Sequence, residues 1–328
     1  MVASDHRTLN LAAQTFMTKA SESGRRPFYE LTPKEARELY EASCRATGFP
    51  VTNPVETAAL SIPSGREAIR ARLYLPDNRP ESGSPAIVFI HGGGWVLGGI
   101  QTHDPVCHLL ARSVGAVVIA VDYRLAPEHP FPASFDDVLA TYRFVREASS
   151  MIGVDPQRLA LVGDSAGGAL AASVALALRD EGRCEPAAQV LFYPVADISS
   201  ESDGYQRVQE ARILTAQTMR WFRDLYAPRA ADRDDWRASP MKAETLSGVA
   251  PALVITAAHD PLCEEGVAYA QRLEEEGVRT THLHLGEQMH AFLTMGGIIP
   301  SAQAPFDYAA QFLRERLFPT ERYENVFD

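Results

Sequence analysis

No run of 18 apolar residues occurs in this 328-residue chain, so no membrane-spanning helix is expected. Basic clusters are missing as well, and 42 Asp and Glu against 31 Lys and Arg leave a formal net charge of −11. That balance excludes nucleic acid and anionic membrane as expected main partners, since both are gripped through basic patches. Cysteine is scarce: Cys44, Cys107, Cys184 and Cys263 stand far apart with no Cys-x-x-Cys pair. A structural zinc site is therefore not indicated, and buried free thiols are expected. The first 20 residues lack the apolar centre of a signal peptide, which makes a cytoplasmic location the default expectation.

Apolar residues make up 46% of the chain, enough for a sizeable core. Residues 1–50 read as polar helix, in patterns such as NLAAQTFMTKA and PKEARELYEASCRAT. From Val55 short β-rich runs take over: VETAALSI (55–62), IRARLYLP (69–76), AIVFIHGG (86–93), AVVIAVDY (116–123), RLALVGDS (158–165), AQVLFYPV (188–195), ALVITAAHD (252–260) and THLHLG (281–286). Several are continuously apolar, as a parallel sheet covered on both faces requires. Helical patterns fall between them at 103–114, 133–149, 166–182 and 264–277, and a last one at 305–318 closes the series. Such alternation predicts an α/β fold, a mostly parallel twisted sheet with helices on both faces. Residues 200–237 interrupt the alternation. The stretch YQRVQEARILTAQTMRWFRDLY reads as helix, and with residues 1–50 it predicts a helical cap over a catalytic domain of residues 51–199 and 238–328.

The strand at 158–165 runs into a helix through Gly163-Asp164-Ser165-Ala166-Gly167-Gly168. A Gly-x-Ser-x-Gly pattern alone is weak, and a phosphate-binding turn is the competing reading. Between strand and helix it predicts a sharp turn that exposes a nucleophilic hydroxyl. Another strand ends in His91-Gly92-Gly93-Gly94-Trp95, whose bare amides can donate to an oxyanion. Amides of this glycine run together with the Ala166 N–H are expected to make a three-donor hole, and His91 is expected to tie the loop by a hydrogen bond. A serine hydroxyl needs an adjacent base. His290 follows the last strand and fits the chain order Ser, Asp, His. His103, His108 and His129 precede the serine, while His259, His282 and His284 sit on or beside strands. Asp260 leaves a strand at the sheet's C-terminal edge, where catalytic groups collect, and Glu264 and Glu265 are the fallback acids. The aromatic residues Trp95, Trp221, Phe222 and Tyr226 are candidates for a substrate pocket.

HGGGW (91–95), DYRLAPEHPFPA (122–133), GDSAGG (163–168), HDPL (259–262) and His290 together resemble the hormone-sensitive-lipase-like, or bacterial group IV, family of α/β-hydrolase esterases. The resemblance implies the α/β-hydrolase fold, a helical cap, and hydrolysis of short- to medium-chain carboxylic esters through an acyl-enzyme. It implies a small-molecule ester as partner and neither metal nor organic cofactor. A homodimer is one assembly it implies. The resemblance further implies that Gly93, Gly94 and Ala166 are the oxyanion donors and that the DYRLAPE segment supports their loop. Ala291 and Cys263 depart from the Gly and Arg that the family often has there. An amidase or formamidase with the same triad is the main alternative, and a non-catalytic binding protein on this fold is the second.

Overall fold

The structure is a computed structural model, and it describes residues 8–65, 67–77, 79–80, 83–182, 186–208 and 213–318. Eight strands form one sheet: β1 Glu56–Ile62, β2 Ile69–Leu75, β3 Ser84–Ile90, β4 Val117–Asp122, β5 Val154–Asp164, β6 Ala188–Phe192, β7 Ala252–His259 and β8 Thr280–Met289. Their spatial order is β1-β2-β4-β3-β5-β6-β7-β8. The β1–β2 and β2–β4 pairs are antiparallel, and every pair from β4 to β8 is parallel.

The described helices are α1 Leu11–Glu22, α2 Pro33–Thr47, α3 Ile100–Val114, α4 Ala133–Glu147, α5 Ser149–Ile152, α6 Ala166–Asp180, α7 Gly204–Arg207, α8 Ala216–Tyr226, α9 Ala230–Arg233, α10 Cys263–Glu275 and α11 Gln303–Leu317. None of them is long and apolar enough to cross a membrane.

Successive side chains on a strand point to opposite faces, so a strand in the middle of the sheet feeds two cores. Every residue of β3 is buried. Ala86, Val88 and Ile90 join the core under α4, α6 and α10, whereas Ile87 and Phe89 join the core under α3 and α11. This double burial is why the run is apolar without alternation. At the outer edge β1 buries only Ile62 and exposes Glu56, Thr57, Ala59 and Ser61.

The N-terminal helices dock beside the end of β8. Asn10 caps α1 by accepting from the Ala13 amide, and its own backbone N–H donates to the Glu287 carbonyl at 3.0 Å. Thr32 and Glu35 form a capping box at the start of α2, a device that satisfies otherwise orphaned N–H groups. At the other end of α2 the Thr47 hydroxyl donates to the Thr294 carbonyl at 3.1 Å. Two expectations need correction. Residues 205–226 are not one helix: α7 ends at Arg207 and α8 begins at Ala216. Thr215 stops any continuation by turning its hydroxyl to accept the Thr218 amide, and residues 209–212 fall outside the described ones. The last strand also runs to Met289 rather than stopping at residue 286, with a register shift before the His259–Met289 pair. Of the cysteines, Cys44, Cys107 and Cys263 are buried free thiols, and Cys184 lies outside the described residues.

Candidate active site

The parallel register aligns the carboxyl ends of the central strands. Ile90 pairs with Gly163, and Asp164 with Phe192. The chain turns from β5 into α6 within one residue, and Ser165 carries the cost, with φ 55° and ψ −120°. Non-glycine residues rarely adopt positive φ. The turn holds because its flanks have no side chains. A Cβ on Gly163 would lie 2.2 Å from the Gly167 carbonyl oxygen, and one on Gly167 would lie 2.0 Å from that of Ile90. Ser165 is fixed further by donating its N–H to the Phe192 carbonyl at 2.9 Å.

The pairing of His259 with Met289 makes Asp260 and His290 the next residues from two neighbouring strand ends. Their side chains meet: the His290 Nδ1–H donates to Asp260 Oδ2 at 2.6 Å. That contact places the ring lone pair on Nε2, which faces Ser165 Oγ at 2.9 Å. All three side chains are buried, Asp260 completely. The other Asp260 oxygen accepts the Leu262 N–H at 2.9 Å, so the loop itself holds the acid. Glu264 and Glu265 are turned elsewhere. Glu264 pairs with Arg207 at 2.7 Å. Glu265 accepts the Ala196 amide at 2.8 Å, and burial pushes its carboxyl well above the ordinary value.

The glycine loop is tied down from three sides. The Gly92 N–H donates to Asp164 Oδ1 at 2.8 Å. The His91 Nδ1–H donates to the Gly92 carbonyl at 2.8 Å, and burial, with His103 close by, pushes the His91 imidazole down to about 3. Tyr123 stacks on the His91 ring at 4.2 Å and 10° and donates its hydroxyl to the His91 carbonyl at 2.8 Å. The Ala126 N–H donates to the Trp95 carbonyl at 2.9 Å. The DYRLAPE segment therefore packs directly on the loop. Among the described residues no acceptor takes up the Gly93, Gly94 or Ala166 amides, and Gly93 and Gly94 line the cleft together with Ser165 and His290.

Sequence reasoning did not find the partner of Asp164. His103 Nε2 lies 3.0 Å from Asp164 Oδ1, with both side chains buried. Burial alone would raise the Asp164 carboxyl. The charge of His103 and the Gly92 N–H outweigh it and hold the group below the ordinary carboxylate range. His103 precedes the serine in the chain and falls outside the order Ser, Asp, His, and no spacing rule joins a residue on α3 to one at the end of β5.

The cleft at Ser165 is small, ≈ 40 Å³, and shares walls with a cavity of ≈ 230 Å³ beside the N-terminal helices. Phe222 lines the cleft. Trp95, Trp221 and Tyr226 line neither space, which corrects the pocket expectation for those three. Trp95 and Tyr226 are buried against each other, their rings stacked at 4.3 Å and 3°. Trp221 packs beside Phe222 on α8, with ring centroids 5.2 Å apart. The walls that sequence reasoning missed include Phe28 and Tyr40, which no motif marks. Among the described residues, no group of three or more His, Cys, Asp or Glu could hold a metal ion.

Comparison with known proteins agrees with this geometry. Residues 87–294 match the model of a family described as having the alpha/beta hydrolase fold. The chain is 37% identical over 313 residues to an ethyl acetate hydrolase of Pseudomonas putida, covering 94% of this chain and 98% of that one. It is 40% identical over 269 residues to the carboxylic ester hydrolase LipN of Mycobacterium tuberculosis, covering 79% of this chain and 70% of that one. The structure of an ester hydrolase from the metagenome of Lake Arreo, complexed with a bipyridine phosphonate derivative, superimposes with a TM-score of 0.91 at 36% identity, over 95% of this chain and 100% of that one. Fold, motifs and relatives converge: the chain belongs to the hormone-sensitive-lipase-like family of α/β-hydrolase esterases.

Proposed function

We propose that the protein hydrolyses small carboxylic esters, with acyl chains of short to medium length, through a covalent acyl-enzyme on Ser165. The observation that carries this reading is the hydrogen-bonded line Asp260–His290–Ser165, at 2.6 and 2.9 Å. As Ser165 Oγ attacks the ester carbonyl carbon, its proton passes to His290 Nε2 and the carbonyl π pair moves to oxygen. Asp260 stabilises the imidazolium without taking its proton. The amides of Gly93, Gly94 and Ala166 receive the oxyanion, which is charge that they meet only in the transition state. Collapse breaks the carbon–oxygen bond to the alcohol, and the leaving oxygen takes the proton from His290. Water then attacks the acyl carbon, giving a proton to Nε2, and the acid departs as Ser165 recovers its hydrogen. The ≈ 40 Å³ cleft favours small groups next to the scissile bond, and the larger cavity admits one longer arm.

The test is a series of p-nitrophenyl esters from acetate to palmitate, run on the wild type and Ser165→Ala. The proposal expects turnover on the shorter members and none above background in the variant. Equal turnover by the variant overturns it. Matching amides run beside the esters separate an esterase from an amidase.

A further inference from the structure

The cavity beside the triad is bounded by α1, α2, the residues before α8 and the turn after His290. Phe28, Tyr40, Ile213, Thr218 and Ala291 line both it and the cleft at Ser165. These shared walls put the cavity next to the place where an ester would meet Ser165. The wall is largely apolar, with Phe16, Met17 and Met295 contributing. Its charged lining is of one sign: Arg25 and Arg26, with no Asp or Glu among the described lining residues. This reverses the bias of a chain whose net charge is −11.

The two arginines differ. Arg26 faces Glu35 at 3.5 Å. Arg25 has no carboxylate within ion-pair distance among the described residues, and its electrostatic neighbour is the Cys44 thiol. Burial pushes that thiol up to about 12, so it stays neutral and supplies no counter-charge. The Arg25 guanidinium lies 5.4 Å from the centre of the Phe28 ring, an aromatic that itself faces the cleft. Partial burial lowers the guanidinium below its ordinary value. Arg25 is exposed at the edge of the cavity, and with no carboxylate beside it among the described residues its guanidinium can pair with an anion that enters the same space.

Resting on the esterase reading, we infer that the site takes esters whose arm remote from the scissile carbonyl ends in a carboxylate, with Arg25 as its counter-ion. Monoalkyl esters of medium-chain dicarboxylic acids are the simplest members of that class. Arg25 acts on specificity and touches no reacting atom. A guanidinium–carboxylate contact at a partly exposed site corresponds to about a tenfold effect, less than a fully buried pair gives.

The experiment compares kcat/KM for each anionic ester with that of its neutral isostere. Monoethyl adipate through sebacate is set against ethyl hexanoate through decanoate. The butyrate ester of 6-hydroxyhexanoate is set against hexyl butyrate, which separates an acyl-side from an alcohol-side anion. The ratio is internal to each enzyme preparation, so a loss of folded protein cancels. The wild type is expected to favour the anionic member of one series by about tenfold. Arg25→Met should abolish that preference, Arg25→Lys should keep part of it, and 0.5 M salt should shrink it in the wild type, as screening requires. A ratio unchanged in Arg25→Met and indifferent to salt overturns the inference, as does a wild type that rejects every anionic ester. Neutral esters still turn over in those cases, which leaves the esterase reading standing. Ser165→Ala turning over neutral esters like the wild type sinks the esterase reading instead.

Discussion

Asp164 reaches from the nucleophile turn to the glycine loop: its Oδ1 accepts the Gly92 N–H at 2.8 Å. The residue before Ser165 thus ties the nucleophile turn to the glycine loop, and on the proposed mechanism it sets the distance between the attacking oxygen and the oxyanion donors. Asp164→Asn weakens the charged hydrogen bond to Gly92 and removes the carboxylate that lies 3.0 Å from His103. We expect kcat to fall by about 10- to 100-fold with a smaller change in KM, since misplaced donors weaken transition-state binding selectively. Steady-state kinetics on one short ester checks this.

The same carboxylate predicts an acid limb of stability. Its folded value is depressed below that of an ordinary aspartate, so its contribution is complete above the unfolded value, near pH ~4, and is lost as pH falls through the folded value. Melting temperatures of the wild type and Asp164→Asn should therefore converge below pH ~4. Calorimetry from pH ~2.5 to pH ~7 reads the convergence, and parallel curves would contradict it.

Helix α8 presses on the glycine loop with two side chains one turn apart. Phe222 sits so close that a Cβ on Gly94 would lie 2.2 Å from its ring, and Gly94 already has φ 61°. Tyr226 stacks on Trp95 at 4.3 Å. Gly94→Ala must push either the loop or the helix aside, and kcat should fall on the order of 10²-fold or more. Tyr226→Leu should cost activity through the same loop, and Tyr226→Phe, which keeps the stack, should restore most of it.

Ala291 occupies the left-handed region with φ 64° and ψ 16°, directly after His290. Glycine is free of the Cβ clash there, so Ala291→Gly should stabilise the fold by roughly 0.5–1 kcal/mol, net of the larger unfolded-state entropy of glycine. A rise in Tm of about 2 °C is the expected size for a chain this long. The departure from glycine that stood out in the sequence is thus a strained position.

Much of the site was legible because it depends on local pattern. Gly163 and Gly167 flank Ser165 at the spacing that a strand-to-helix turn needs, and chain order points to His290 and Asp260, whose side chains lie 2.6 Å apart with His290 2.9 Å from Ser165. The sheet was legible through its apolar runs, such as β3. What escaped depends on contacts distant in sequence. Trp95 and Tyr226 pair with each other rather than facing substrate, because two flat rings bury more surface stacked than lining a wet wall. Helix α8 starts late because Thr215 caps it, a choice that the surrounding helical pattern conceals. His103 on α3 and Asp164 at the end of β5 meet 3.0 Å apart, and Tyr40 reaches the cleft from α2. Neither carries a local mark.

The central claim is that Ser165 becomes covalently acylated, and a p-nitrophenyl alkylphosphonate tests it directly. One equivalent of p-nitrophenol per active enzyme is expected, with a phosphonate adduct on the peptide containing Ser165, loss of ester turnover in proportion, and no adduct in Ser165→Ala. An adduct on another residue, or turnover that survives full labelling, would contradict it.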